Sequence, residues 1–188
     1  RLIEKKNFSW SLGFNISVNR NKLVAYPGFE YSPFYNSKRI GSSLNTVYLL
    51  HYLGINPQNG KRSYADFNHD GIITNSNVPP GTGIDDKYIA LDPTPRYSGG
   101  ISSQITWKRF MLNLFFNYKK QMAKDLYADV PGNIGNILTE VYNDHWQKRG
   151  DQTKYTRFAT FTSGSDANYR RSDAYYTDAS FVRLSNLS

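Results

Sequence analysis

Three short oxygen-bearing side chains stand at alternate positions in DFNHDGIIT, residues 66–74. Asp66, Asn68 and Asp70, followed by Gly71, match the opening of a calcium loop: hard oxygen donors two residues apart, then a glycine that permits a sharp turn. In that chemistry Ile72 adds its backbone carbonyl, and Thr74 acts directly or through a water. The twelfth position, where such loops carry a bidentate acid, is Asn77, so one anion and its ligand oxygens are missing. The competing use of the same residues is an Asx-rich turn whose side chains bond their own backbone. The residues before the loop, Ser63, Tyr64 and Ala65, read as strand, whereas an EF-hand needs flanking helices. A docking module would need a second copy of the loop, and the sequence has no internal repeat.

Other reactive types are scattered. His51, His69 and His145 lack the spacing of a zinc site. The Ser163–Gly164–Ser165 cluster has no nucleophile-elbow context, and Gly81, Gly83, Gly99 and Gly100 form no phosphate-binding fingerprint. Asp85, Asp86 and Asp92 offer a carboxylate pair for glycoside hydrolysis, but adjacent acids in a Gly/Pro-rich stretch read first as solvated loop. With no cysteine, disulfides, thiolate metal sites and cysteine nucleophiles are excluded. The sequence therefore reads as non-enzymatic. Aromatic residues are the better candidates for ligand contact. Tyr26, Phe29, Tyr31, Phe34 and Tyr35 cluster in YPGFEYSPFY, and Tyr169, Tyr175 and Tyr176 precede the last strand. Such rings stack on a sugar or a peptide or pack against a partner protein; alternatively they pack loops together or form an interfacial girdle.

The elements that position these residues are long strands. In residues 8–18, Phe8, Trp10, Leu12, Phe14, Ile16 and Val18 share one face, and Ser9, Ser11, Gly13, Asn15 and Ser17 the other. Soluble strands usually run ~5–6 residues, whereas barrel strands that cross a membrane need ~9–11. A second alternating pair, Ile101 to Trp107 and Leu112 to Tyr118, is broken only at Lys108–Arg109, which predicts a hairpin without the Asn-Gly of the commonest tight turn. Trp107 and Phe110 flank that charged turn, as at the periplasmic rim of a barrel. Further strands are expected over residues 43–52 and 178–187, and a helix over residues 135–150, with Ile137, Leu138, Val141, Tyr142 and Trp146 near helical spacing and Gly150 as its stop. The stretches 75–96 and 151–173 read as long polar loops. The fold class is thus all-β: antiparallel strands from the C-terminal part of a transmembrane β-barrel, with long outer loops and one short helix.

Composition agrees with this reading. Of 188 residues, 15% are aromatic and only 39% hydrophobic, a balance that favours strands. The net charge of +8 is spread over pairs beside turns, such as Lys5–Lys6, Lys61–Arg62 and Arg170–Arg171, and does not form the basic stripe that nucleic acid requires. No apolar run reaches the ~18 residues of a membrane helix. The chain opens RLIEKKNFSW, without a Met or an apolar leader, and stops within a strand-like pattern, so both ends read as cut from a longer protein.

The segments SLNTVYLLHYLGINPQNGKRSYAD, YADFNHDGIITNSN, DPTPRYSGGISSQITWKRFMLNLFFNY, WQKRGDQTKYTRF and DASFVRLSNLS occur in one order. In that order they resemble the C-terminal part of SusC/RagA-like TonB-dependent outer-membrane transporters. Three positions depart from the pattern. His69 and Arg109 stand where the family has glycine, and Asn77 stands where an acid is frequent. The resemblance implies that residues 1–188 are part of a large barrel whose plug and remaining strands lie elsewhere. It implies a location in the outer membrane, among lipid, and a SusD-like surface lipoprotein as partner. TonB, engaged through the missing N-terminal part, would energise import of an oligosaccharide or a peptide. A soluble, secreted, β-rich glycan-binding module with a calcium-loop-like turn is the alternative. The two differ in what the apolar face of residues 8–18 meets: lipid in one, a packed core in the other.

Overall fold

A computed structural model describes residues 1–125, 130–133 and 136–188. In chain order the strands are β1 (Ile3–Lys5), β2 (Phe8–Ser17), β3 (Val47–Leu49), β4 (Tyr52–Ile55), β5 (Arg62–Tyr64), β6 (Ile89–Leu91), β7 (Tyr97–Trp107), β8 (Phe110–Lys120), β9 (Met122–Lys124), β10 (Tyr176–Asp178) and β11 (Phe181–Leu187). Two short helices, α1 (Thr139–Asn143) and α2 (Gly164–Ala167), and three 3₁₀ turns complete the described elements. The β1–β2, β2–β7, β7–β8, β8–β11, β3–β6 and β4–β5 pairs are antiparallel. The contacts divide the chain into two units. Residues 1–21, 93–123 and 178–188 form the first, and residues 22–92 and 124–177 the second.

The first unit is a five-stranded sheet in the order β1-β2-β7-β8-β11. Its register follows from the alternation. Trp10 pairs with Ile105, Leu12 with Ser103, Phe14 with Ile101 and Ile16 with Gly99. Across the hairpin Ile105 pairs with Leu112, Ser103 with Leu114, Ile101 with Phe116 and Gly99 with Tyr118. Leu184 and Val182 of β11 extend the rows of Phe116 and Tyr118. Because side chains alternate between faces, these rows build one apolar face across the sheet. The other face carries small polar groups such as Ser11, Asn15, Gln104 and Asn117.

Within the first unit no packed layer covers the apolar face: Leu12, Phe14, Ile16 and Val18 are 47, 63, 54 and 51% exposed. Phe14 stacks on Tyr118, with ring centroids 5.8 Å apart. Trp10 satisfies its indole N–H on Ser103 Oγ at 3.0 Å. At Gly99 an added Cβ would come within 2.1 Å of the Asn15 carbonyl and 2.4 Å of the Tyr118 hydroxyl, so glycine lets Tyr118 reach across to Asn15.

The connections are asymmetric, as expected. β1–β2 and β7–β8 turn within two residues at one end of the sheet, where Lys108 N–H donates to the Asn7 carbonyl. The long connections after β2, before β7, after β8 and before β11 all leave from the opposite end, where Ser17, Ser98 and Lys119 align. Trp107 and Phe110 lie side by side at the short-turn end and are exposed.

The second unit holds the small buried core: Phe29, Leu49, Leu50, Tyr64, Val130 and Val141. β3 pairs with β6, and β4 with β5. Two expectations are revised here. The strand expected over residues 43–52 is split, because the buried Leu50 leaves the ladder. Its N–H donates to the Arg171 carbonyl, and its own carbonyl accepts from Asp173 N–H. The helix expected over residues 135–150 narrows to Thr139–Asn143, and its first residue, Gly135, lies outside the described residues. Trp146 is not on a helical face. Its ring lies where a Cβ on Gly60 would be, 2.5 Å away, and its indole N–H donates to the Pro57 carbonyl. That long-range seat prevails over local helical spacing.

Candidate functional site

The acidic turn is ordered by its own side chains. Asp66 Oδ2 accepts from Gly71 N–H at 2.8 Å, Asn68 Oδ1 from Asp70 N–H at 3.2 Å, and Asp70 Oδ1 from Ile72 N–H at 2.7 Å. Asn68 Nδ2 donates to Asp70 Oδ2 at 3.0 Å and to the Ile84 carbonyl at 3.2 Å. Gly71 takes φ 81°, which L side chains resist, and His69 takes φ 61°. Asp66 Oδ1 is enclosed and has no hydrogen-bond partner. Thr74 contributes its backbone N–H to the arrangement. Ile72 is exposed.

The group that closes the turn is one that the sequence reading assigned to solvated loop. Asp86 is fully buried. Its Oδ1 accepts from Phe67 N–H at 2.7 Å and Asn68 N–H at 3.4 Å, and its Oδ2 from Thr74 N–H at 2.7 Å. Asp85, 1% exposed, accepts from Ser76 N–H at 3.1 Å and faces Lys87 Nζ at 3.5 Å. These two acids are neither solvated nor arranged as a hydrolytic pair. They supply acceptors to backbone N–H groups of an irregular segment that has no strand or helix partner for them. Their local signal, two acids in a Gly/Pro stretch, says nothing of donors 9 to 19 residues earlier.

The aromatic candidates fall into two groups. Tyr26 meets Phe29 and Phe34 edge-on at 5.9 and 6.5 Å, and Phe29 meets Tyr35 at 5.7 Å. Buried Phe29 anchors this cluster, while Tyr31 stands out at 89% exposed. In the second group Tyr169 meets Tyr52 at 5.6 Å and Tyr175 at 6.3 Å, and Tyr175 meets Tyr176 at 5.6 Å. Arg62 lies 4.1 Å above the Tyr169 ring and 3.9 Å from Asp166. The Tyr169 hydroxyl donates to Asp125 Oδ2 at 2.9 Å. Burial, more than any neighbouring charge, pushes the Tyr52, Tyr64 and Tyr169 phenols above the usual value, so they stay neutral donors. His51 Nδ1 pairs with Asp173 Oδ2 at 2.6 Å, and His145 Nδ1 with the Tyr142 carbonyl at 2.6 Å. Among the described residues no group of three or more His, Asp or Glu is placed to hold a metal by side chains of those types alone.

No protein-family model matches the chain. Whole-chain relatives do. The chain is 24% identical to TonB-dependent receptor P3 of Formosa agariphila, over 100% of its own length and 20% of that protein's. It is 25% identical to TonB-dependent receptor SusC of Bacteroides thetaiotaomicron, over 99% of the chain and 19% of that protein. The chain resembles the SusC/RagA-like TonB-dependent receptors over its whole length. Its fold agrees with solved structures of the RagAB peptide transporter (TM-score 0.63, 19% identity, 99% of the chain and 21% of that one) and of the RagAB peptide importer in its open-open state (TM-score 0.64, 19% identity, 99% and 20%). The chain therefore spans about a fifth of the length of these relatives.

Among the described residues, two that carry side chains take a positive φ: His69 at 61° in the acidic turn, and Lys108 at 56° in the β7–β8 turn, one residue before Arg109.

Proposed function

We propose that residues 1–188 are part of the barrel wall and outer loops of an outer-membrane active transporter that imports an oligomeric nutrient with energy passed on by TonB. The observation that carries this reading is the unpartnered apolar face of the five-stranded sheet. An 11-residue strand such as β7, at ~3.3 Å per residue and tilted ~45°, spans ~25 Å, the height of the lipid-facing band of a barrel. Small polar residues on the opposite face suit a wet lumen, and the exposed Trp107 and Phe110 beside a two-residue turn suit the inner rim. β1 and β11 stand at the ends of the sheet and would pair with strands outside this chain, since open edges are not tolerated in lipid. In the soluble-module alternative this face would lie against a core, and its exposure argues against that.

The partners in this reading are a SusD-like surface lipoprotein and TonB. The chain's own contribution is passage and recognition, without covalent chemistry. In this reading Asp66, Asn68 and Asp70 would hold a calcium ion, and the orphaned Asp66 Oδ1 supports it as an oxygen without another partner. Bound there, calcium would cross-link the turn. Deleting the full-length gene tests the transport reading. Cells should lose growth on one oligomer while keeping growth on its monomer, and loss of TonB should give the same defect. Unchanged growth on every oligosaccharide and peptide mixture tried would refute it.

A further inference from the structure

The chain's net charge of +8 lies entirely in the first unit. Residues 1–21, 93–123 and 178–188 carry ten Lys and Arg against two acids, Glu4 and Asp178. Both acids are already paired, Glu4 with Arg1 and Asp178 with Lys120. Four of the ten cations stand together at the short-turn end of the sheet. Lys5 and Lys6 lie where β1 turns into β2, and Lys108 and Arg109 where β7 turns into β8. The bond from Lys108 N–H to the Asn7 carbonyl, 2.8 Å, ties the two turns to each other. All four residues are exposed, and among the described residues no carboxylate pairs with any of them. Like charges on adjoining turns repel one another, and an anion brought among them removes that cost.

Strand register shows which side of the sheet these cations serve. Lys5 pairs with Phe8, Phe8 with Trp107, and Trp107 with Phe110. The four residues therefore form one row across β1, β2, β7 and β8, on the apolar face. Trp107 and Phe110 are exposed, and Lys108 Nζ lies 5.4 Å from the centre of the Trp107 ring. At a membrane interface aromatic rings sit at headgroup level, and a lysine stem lies along apolar surface while its ammonium reaches the polar layer. Clustered cations at that level favour anionic headgroups over zwitterionic ones. A protein partner would have to enter between sheet and lipid to meet the same side of this row.

We propose that the short-turn end of the sheet is a docking surface for anionic phospholipid of the inner leaflet. The headgroup phosphate sits among Lys5, Lys6, Lys108 and Arg109, and the acyl chains run along the apolar face past Trp107 and Phe110. This rests on the barrel reading above, which puts this end of the sheet at the inner rim.

The test reads Trp107 fluorescence in the full-length protein, taken as the difference between each protein and its own Trp107→Phe control. The proteins are reconstituted in phosphatidylethanolamine vesicles containing rising fractions of dibrominated phosphatidylglycerol or dibrominated phosphatidylcholine, whose bromines quench on contact. Phosphatidylglycerol should quench Trp107 with about fivefold higher apparent affinity, the worth of one cation near an anionic surface. That preference should fall toward unity in about 1 M salt, where the screening length is ~3 Å. It should fall likewise in the combined variant Lys5→Gln, Lys6→Gln, Lys108→Gln and Arg109→Gln. Equal quenching by the two lipids, as when an acidic protein segment occupies the turns, would overturn the proposal and leave the barrel reading standing. So would a preference that survives the four substitutions. Quenching by neither lipid would overturn both, because the apolar face would then not meet lipid.

Discussion

Replacing Asp86 by alanine should unlock the acidic turn. The carboxylate is fully buried and accepts two backbone N–H bonds at 2.7 Å and a weaker one at 3.4 Å. Hydrogen bonds to a charged group contribute about 1.5–3 kcal/mol each, so the two short ones together hold the turn by about 3–6 kcal/mol. Alanine removes the acceptor and leaves the Phe67 and Thr74 N–H groups without their partner. Asn retains one acceptor oxygen but turns an N–H₂ group toward a donor, so Asp86→Asn should lose a large part of the same amount. Amide hydrogen exchange on the full-length protein reads this directly. Each 1.4 kcal/mol is tenfold, so exchange at Phe67 and Thr74 should quicken by about two to four orders of magnitude in the alanine variant. Amides of β7 and β8 should be unaffected. Unchanged protection at Phe67 and Thr74 would refute the assignment of Asp86 as the group that closes the turn.

Other outcomes follow from the same structure. His69→Gly and Lys108→Gly should each raise stability by about 0.5–1 kcal/mol in denaturant melts, because each relieves a positive φ that a side chain resists. The Glu140 carboxylate is held below the usual range chiefly by its hydrogen bond from Lys154, then by that from Tyr155. Its contribution is therefore present above the unfolded value of 4.5 and lost as pH falls through the lower folded value. Glu140→Gln should depress Tm at pH 7 and lose that effect once the pH lies below the lowered folded value. Calcium, measured by calorimetry on the full-length protein, should bind weakly, in the ~10⁻⁴–10⁻³ M range, and be lost in both Asp66→Ala and Asp70→Ala. Binding that survives both substitutions would place the ion elsewhere.

The sheet was legible because alternation is local information: once Phe8 to Ser17 and the two arms about Lys108–Arg109 are read as strands, one hairpin fixes their register. The loops were less legible, because long-range partners decide them. Leu50 leaves its strand to bond residues 171 and 173, and Trp146 leaves its helix for Gly60 and Pro57. Asp85 and Asp86, read as solvated, are buried because backbone donors far back in the chain need them. Within the candidate site, DFNHDG announced its turn, and the tyrosines announced stacking surfaces.

The central claim is that lipid covers the apolar face of the five-stranded sheet. Single cysteines are placed from Ser11 to Ile16 in a cysteine-free background of the full-length protein, to which residues 1–188 contribute no cysteine, and are spin-labelled in bilayers. Accessibility to oxygen, which partitions into lipid, is then compared with accessibility to a water-soluble nickel chelate. The account predicts a two-residue alternation, with labels at Leu12, Phe14 and Ile16 seeing oxygen and labels at Ser11, Gly13 and Asn15 seeing the chelate. Labels at Phe14 and Ile16 that the chelate reaches freely, or that neither reagent reaches, would contradict it.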